Sequence, residues 1–277
     1  MLAFILASRF LFFLAVISVV IAAPIPRNLR NSRLMMNRDD SDSESDSSSG
    51  SDSDSSSSSN TDNTSIDNDS TSTSGASFVA DSSIDVAAVL QLVKSVTSNP
   101  VSGANYGTGH DDNKAQIYEL DVDSSAGGSV YAFEADMDVD CDGTDGNDDG
   151  QSETSYGALS AKRVPFYVLP QSFVDQQNIK GNSLGAIICN NKMFYAIMGD
   201  TNGDSPEVIG EASWLMARTC FPADDLNGAK GHDQSDVTYI VFGSLVPGGI
   251  SEDTSTIDVA SLKALGDKTM KAFKLNS

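Results

Sequence analysis

Histidine and basic residues are scarce in this sequence. The 277 residues include only two histidines, His110 and His232, which argues against a metal centre built from several histidines. Lysine and arginine number 17 against 39 aspartates and glutamates, so the formal net charge is −22 at pH 7. Because affinity for nucleic acid depends largely on basic side chains that displace counterions from phosphates, no nucleic-acid partner is expected. A polycationic partner is favoured instead.

Cysteine is also sparse, with three residues at Cys141, Cys189 and Cys220. In an oxidising compartment two of them are expected to pair and one to be left over. Three pairings are possible, and the sequence does not choose among them. Their spacing does not suggest a metal site, and we predict neither a metal nor a cofactor.

The first 23 residues form the one long apolar stretch. A single early positive charge at Arg9 precedes an apolar run over residues 10–23 that ends in small residues. This pattern is typical of a secretory signal peptide, cleaved near Ala22 or Ala23. A membrane anchor is the alternative, but the run is shorter than the roughly 20 residues that span a bilayer. We therefore expect a secreted, extracellular protein with no membrane partner after signal removal.

Residues 24–77 are predicted to be a disordered segment rich in serine and aspartate. Between residues 39 and 81 almost every residue is Ser, Asp, Thr, Asn or Gly, with five consecutive serines at 55–59. Such a composition cannot bury enough apolar surface to offset the entropy of ordering. Asn63 and Asn68 begin glycosylation sequons, although a solvated spacer is the plainer interpretation.

Residues 78–277 have a globular composition and are long enough for one well-buried core. From residue 82 onward there are 28 acidic and 12 basic residues, a balance of −16. The acidity therefore belongs to the folded domain as well as to the Ser/Asp segment. We expect this domain to act as a monomer.

The patterns of apolar residues predict a mainly β (α+β) domain. Short runs rich in Val, Ile, Tyr or Phe predict six strands, at residues 116–122, 130–137, 164–169, 184–189, 193–198 and 237–242. Helices are predicted at about residues 84–98, 211–219 and 258–273. Because helices and strands do not alternate regularly, six strands should form a closed or nearly closed barrel with a few peripheral helices. Asn190-Asn191 predicts a tight turn between antiparallel strands, the second of which delivers Asp200 at its exit.

Two acidic segments are candidates for chemistry. Strand alternation would place four carboxylates on one side of the first segment, namely those of Asp136, Asp138, Asp140 and Asp142. The second segment links Asp200 to Glu211 through a loop rich in turn residues. A solvated acidic surface is the plain interpretation of such runs.

Calcium loops are a further alternative for both segments. Loops that start at Asp138 or at Asp200 resemble the twelve-residue EF-hand pattern. Against this interpretation, Asp149 replaces the bidentate glutamate of the first loop and Ser205-Pro206 occupies the glycine turn of the second. Paired amphipathic helices do not flank either loop.

Asp200 and Glu211 also fit the needs of a glycoside hydrolase. Such an enzyme uses one carboxylic acid to protonate the departing oxygen and one carboxylate to activate water or attack the sugar. Asp200 is expected at a polar loop mouth, and Glu211 at the start of an apolar helix. Burial would raise the pKa of Glu211 and the helix dipole would lower it, so the sequence leaves the direction open.

Four segments in this order resemble the fungal endo-chitosanases of glycoside hydrolase family 75: YAFEADMDVDCDG at 131–143, GDTNG at 199–203, GEAS at 210–213 and CFP at 220–222. The resemblance covers roughly residues 84–242 and leaves the Ser/Asp segment and the C-terminal helix outside. It implies a double-psi-like β-barrel, secretion, and endo-hydrolysis of β-1,4-linked glucosamine in chitosan with inversion and without a cofactor. It also maps the essential carboxylates onto Asp200 and Glu211.

We assign Glu211 as general acid and Asp200 as general base, although the two roles could be exchanged. Inversion calls for carboxyl groups roughly 6.5 to 9.5 Å apart. Predicted contacts with chitosan comprise ammonium-binding carboxylates, a stacking tyrosine and a polar amide, at Asp136, Asp138, Asp140, Tyr156 and Asn202. Tyr195 and Trp214 are predicted as core residues rather than as stacking platforms.

Three other functions are alternatives to a chitosanase. A non-enzymatic acidic module could bind calcium or a basic cell-wall polymer, and a related hydrolase could act on chitin or β-glucan. A Ser-His-Asp hydrolase would have to use His232, but the sequence has no Gly-x-Ser-x-Gly motif. His232 is better explained by a hydrogen bond in a loop or by a place at the edge of a cleft.

Overall fold

The structure is a computed structural model that describes residues 75–96, 98–109, 112–122, 128–143, 152–250 and 256–274. The predicted signal peptide, the Ser/Asp segment up to residue 74 with both sequons, and His110 lie outside the described residues. None of the helices in these ranges is both long and apolar enough to cross a membrane.

Eight strands and four α-helices make up the described part of the chain. The strands are β1 (Pro100–Gly107), β2 (Lys114–Leu120), β3 (Val130–Asp140), β4 (Phe166–Pro170), β5 (Leu184–Cys189), β6 (Lys192–Asn202), β7 (Glu211–Ser213) and β8 (His232–Phe242). The helices are α1 (Val86–Ser95), α2 (Gln171–Gln177), α3 (Trp214–Cys220) and α4 (Val259–Ala272). Helices α1 and α4 confirm two predictions, and each begins after an aspartate, Asp85 or Asp258, that caps it.

Six of the strands close into a barrel in the order β3-β7-β4-β6-β5-β8, and β8 pairs back onto β3. The β3–β7 and β4–β6 pairs are parallel, and the other four pairs are antiparallel. The predicted mainly β fold with a six-stranded barrel and few helices is confirmed. Its membership differs from the prediction, because β2 lies outside the barrel with β1 while β7 completes the ring.

The hairpin between β5 and β6 forms as predicted. Asn190 and Asn191 have φ angles of 46° and 58°, the left-handed conformation that a two-residue turn requires. The six residues of β5 then pair in register with β6. Strand β6 continues beyond its predicted end at residue 198 as far as Asn202, so Asp200 lies within the strand, near its end.

The prediction of a helix from residue 211 is wrong at its start. Glu211–Ser213 is strand β7, which pairs with β3, and helix α3 begins only at Trp214. Ser213 explains the boundary, since its side chain accepts a hydrogen bond from Met216 N and caps the helix. Glu211 therefore sits on a strand and not at a helix N-terminus.

Buried side chains lie on both faces of the barrel strands and form two core clusters. Helix α4 covers one of these clusters, and Gly266 lets it approach the ring of Tyr195 so closely that a Cβ there would clash. The Tyr195 hydroxyl donates to Asp267 Oδ1 at 2.9 Å. Tyr195 is fully buried, so its predicted place in the core is confirmed.

One disulfide joins Cys189 at the end of β5 to Cys220 at the end of α3, across a sequence separation of 31 residues. Cys141 is buried and is the cysteine left over. The prediction that two of the three pair is confirmed. A crosslink over such a loop stabilises a fold by about 2–5 kcal/mol.

Candidate active site

A β-bulge places Asp200 at the end of the barrel. Met198 pairs with Tyr167 of β4 and Asp200 pairs with the next residue, Val168, so Gly199 is the extra residue of β6. A Cβ on Gly199 would lie 2.7 Å from atoms of Leu159 and Phe166, which explains the glycine. Bulges of this kind re-aim the side chain that follows them.

The side chain of Asp200 is held by three donors and is only 1% exposed. Its Oδ1 accepts hydrogen bonds from Ser155 N at 2.9 Å, Ser155 Oγ at 2.6 Å and Thr201 N at 2.7 Å. These bonds replace those that a buried carboxylate loses with water. Ser155 was missed by sequence reasoning, because it lies 45 positions away and belongs to no motif.

Glu211 lies opposite Asp138 in the parallel pair of β7 and β3, so the two side chains share one face. Asn202 Nδ2 donates to Glu211 Oε2 at 3.1 Å. Burial, followed by the charge of Asp138, raises the pKa of Glu211 to about 8; the bond from Asn202 acts against the rise, and the charges of Asp200 and Asp204 add to it. The sequence left open whether the pKa of Glu211 is raised or lowered, and the structure shows that it is raised.

Both acidic segments contribute to one group of carboxyl groups around Glu211. We call it the acidic cluster; its members are Asp138, Asp140, Asp142, Asp200, Asp204 and Glu211. Burial raises the pKa of Asp140 well above its usual value, and the charges of Asp200, Asp142 and Glu211 raise it further. Carboxyl oxygens of Asp140, Asp142 and Asp200 lie within 4.8 Å of one another. The two segments, separate in sequence, therefore form one site.

The calcium-loop interpretation fits this geometry poorly. Residues 200–211 run from the end of strand β6 to the start of strand β7, so strands and not helices flank this loop. The first loop is described only as far as Gly143. Three crowded carboxylates suit an ammonium group as well as a metal ion, so we assign no metal to the cluster.

Two predicted ammonium contacts occupy different positions. Asp138 is partly exposed and lies against Gly231, where a Cβ would clash with its carboxylate. Asp136 is 1% exposed and lies under Gly210, whose missing side chain leaves room for Asp136 Oδ1. Asp136 therefore lies beneath the site, and its contact with an ammonium group stays a prediction.

Gly210→Ala should destabilise the fold by about 1–3 kcal/mol, because it combines strained backbone with a steric clash. Gly210 has a φ of +105°, and its Cβ would meet Asp136 Oδ1. Urea denaturation measures the effect. The matched control is Gly203→Ala in the same loop, where no atom lies within 4 Å of the added Cβ. Equal stability of the two variants would contradict this account of the glycine.

The candidate aromatic residues are partly buried. Tyr156 packs against Gly181, next to the Ser155 that binds Asp200, and its stacking on a sugar stays a prediction. Trp214 packs against both core clusters, in keeping with its predicted core role. Lys162 Nζ and Arg218 Cζ lie 5.0 and 4.2 Å from its ring centroid. These cations would repel an ammonium-bearing sugar from that ring.

His232 is held between two carboxylates. Its Nδ1 lies 3.3 Å from Asp224 Oδ2 and its Nε2 lies 2.9 Å from Asp236 Oδ1, while the ring stacks on Phe221 at 3.5 Å. A Ser-His-Asp triad requires one ring nitrogen to face a serine hydroxyl. Since both nitrogens face carboxylates, the geometry supports a structural role for His232 at the start of β8, where it binds Asp224 of the preceding loop.

Comparison with known proteins matches residues 137–272 to the family described as fungal chitosanase of glycosyl hydrolase group 75. Endo-chitosanase C of Aspergillus oryzae is 49% identical over 208 residues, which cover 72% of this chain and 54% of that protein. An endo-chitosanase of Aspergillus oryzae (strain ATCC 42149 / RIB 40) is 35% identical over 206 residues, 61% of this chain and 82% of that protein. One from Aspergillus fumigatus is 33% identical over 165 residues, 50% and 68% of the two chains.

The chain spans about half the length of the endo-chitosanase C that it resembles. The family match includes Asp200, Glu211 and all of helix α4. The expectation that the C-terminal helix lies outside the family likeness is therefore wrong, in keeping with the packing of α4 on the barrel. The chain covers most of the 35% identical endo-chitosanase of Aspergillus oryzae and most of that from Aspergillus fumigatus. It therefore belongs to the fungal chitosanases of glycosyl hydrolase group 75.

Proposed function

We propose that this chain is a secreted endo-chitosanase that hydrolyses β-1,4-glucosamine linkages with inversion at the anomeric carbon. Glu211 is the general acid and Asp200 the general base. The observation that carries the proposal is the pairing of a partly buried Glu211, whose pKa is raised to about 8, with a fixed Asp200 in one acidic cluster. Two carboxyl groups in unlike environments are what acid and base roles require.

Glu211 suits the acid role because burial favours its neutral form. With a pKa of about 8 it carries a proton at the mildly acidic pH where chitosan dissolves. It donates that proton to the glycosidic oxygen as the bond from this oxygen to the anomeric carbon breaks. Activity should fall as pH rises through about 8, since Glu211 then loses its proton.

Asp200 suits the base role because three donors fix its Oδ1, which orients the carboxylate. A water oxygen attacks the anomeric carbon from the face opposite the departing oxygen and passes a proton to Asp200. The reaction therefore consumes one water, inverts the anomeric carbon, and leaves Glu211 deprotonated and Asp200 protonated. Proton exchange with solvent restores both groups. A carboxyl separation of roughly 6.5 to 9.5 Å leaves room for that water.

Charge favours chitosan over other polysaccharides. Protonated amines of glucosamine are attracted to a cluster of carboxylates, whereas a neutral glucan gains nothing from it. Asp138 and Asp140 are the proposed ammonium contacts, and Tyr156 is the proposed stacking residue. Export through residues 1–23 belongs to the same proposal, because a polymeric substrate does not enter a cell.

Reducing ends released from soluble chitosan test the function directly. The chain should cleave chitosan faster than fully acetylated chitin or a β-glucan, and the rate should fall at high salt because ions screen the attraction. A chelator should leave the rate unchanged. Binding without new reducing ends, together with a fold that the chelator disrupts, would favour a non-enzymatic calcium-dependent module instead.

A further inference from the structure

Asn202, the last residue of β6, uses its whole amide inside the protein. Its Oδ1 accepts from the backbone N–H groups of Asp204 at 3.2 Å and Val208 at 3.1 Å. Its Nδ2 donates to Glu211 Oε2 at 3.1 Å and to Asp204 Oδ2 at 3.2 Å. A primary amide makes four hydrogen bonds at most, so no capacity remains for a sugar. A role other than the substrate contact predicted from the sequence is needed.

The surroundings of Asn202 fix which end of its amide faces Glu211. Two backbone N–H groups converge on one end, and these can only donate. Two carboxylate oxygens face the other end. A flipped amide would set donors against donors and acceptors against acceptors, so the NH2 group faces Glu211.

We infer that Asn202 positions the general acid Glu211 and selects which of its oxygens carries the catalytic proton. An amide nitrogen donates and does not accept, so Glu211 Oε2 must be the accepting oxygen. The acid proton then resides on Oε1. This inference rests on the proposed function, because it assigns the proton that the hydrolysis uses.

Asn202 also aligns the two catalytic groups. It lies two residues after Asp200 on the same strand, and through Asp204 and Val208 it holds the loop that leads to Glu211. A second anchor fixes the far side of this loop, where Ser172 N donates to Glu207 Oε1 at 2.9 Å. The Asn202 amide thus links the strand that carries the general base Asp200, the loop that follows this strand and the general acid Glu211.

Removal of the Asn202 donor should raise the pKa of Glu211. Among the described residues, the titratable groups that interact with Glu211 come from β3, β6, the loop after β6, and β8; they are Asp138, Asp140, Asp200, Asp204 and Tyr239. The neighbouring carboxylates and burial favour the protonated acid, whereas the bond from Asn202 favours the carboxylate. When the hydrogen bond from Asn202 is lost, burial and the neighbouring charges raise the pKa of Glu211 without opposition from it.

Asn202→Ala and Asn202→Asp test the inference together. The aspartate keeps the shape and the oxygen that accepts from the loop, but it replaces the NH2 donor with a carboxylate oxygen that adds a negative charge beside Glu211. The alkaline limb of kcat should move up by about 1 pH unit in Asn202→Ala, and by at least as much in Asn202→Asp, where the added charge also favours the protonated acid. In Asn202→Ala kcat should fall about 10- to 100-fold with KM within about threefold of wild type. Carboxyl ¹³C NMR without substrate, assigned through Glu211→Gln, should show the same upward shift.

Asn227→Ala is the matched control, because that amide closes a separate turn by accepting from Ala229 N. It should leave both the alkaline limb and the Glu211 titration unchanged. A Glu211 titration that is identical in wild type and Asn202→Ala would overturn the inference, even if activity fell, since the role of Asn202 would then be structural. If the wild type cleaved no chitosan, the proposed function would fail, and the substrate-free titration would still decide whether Asn202 controls the protonation of Glu211.

Discussion

Glu211→Gln is expected to cleave chitosan at least about 100-fold more slowly than the wild type, because glutamine has the shape of the acid but no acidic proton. The rate of reducing-end formation on soluble chitosan measures the loss. The glutamine oxygen can still accept the hydrogen bond that Asn202 gives to Glu211, so the site should keep its arrangement. Near-normal turnover of this variant would remove Glu211 from the mechanism.

Stability against pH provides the folding control for Glu211→Gln. The pKa of Glu211 rises from 4.5 to about 8 on folding, so its protonated form stabilises the wild type below pH 4.5. That contribution is lost as pH rises through about 8. The neutral glutamine has no such dependence, so the stability of the variant relative to wild type should increase between pH 4.5 and 8. Urea denaturation at several pH values measures this difference.

Asp200→Asn is expected to lose cleavage to a similar extent, because an amide cannot take a proton from the attacking water. The amide oxygen can still accept from Ser155 and Thr201, so the loop around it should stay in place. Azide should restore part of the activity, since this anion attacks without giving up a proton. The rescued product should be a glycosyl azide of inverted configuration.

The response to azide separates the two roles. Glu211→Gln should gain nothing from azide, because the departing oxygen still lacks its proton. If azide rescued Glu211→Gln and not Asp200→Asn, the acid and base would have to be exchanged. Absence of any loss in Asp200→Asn would show that water is activated elsewhere.

Local sequence patterns predicted the parts of the fold that depend on neighbours in the chain. Two asparagines set the β5–β6 hairpin through their left-handed conformations. Asp258 caps helix α4 at the position where the apolar spacing predicted that the helix begins. The segment from Asp200 to Glu211 could be found because a loop rich in turn residues links the two carboxylates. These features need no knowledge of distant contacts.

The rest depends on contacts between distant residues. Strand β7 has three residues and is too short to show a period of two, so only its pairing with β3 reveals it. Ser155 reaches Asp200 because the barrel brings its loop there. The pKa of Glu211 follows from burial against β3, which no local pattern encodes. The choice of Cys189 and Cys220 as partners likewise follows from the fold.

The anomeric configuration of the first product is the most direct test of the two-carboxylate mechanism. Proton NMR of a fully deacetylated glucosamine oligomer, recorded during the first turnovers and before mutarotation, reports which anomer is released. Attack by water opposite the departing oxygen predicts that the α anomer appears first from a β linkage. Initial release of the β anomer would contradict the assignment of Asp200 as a base acting on water.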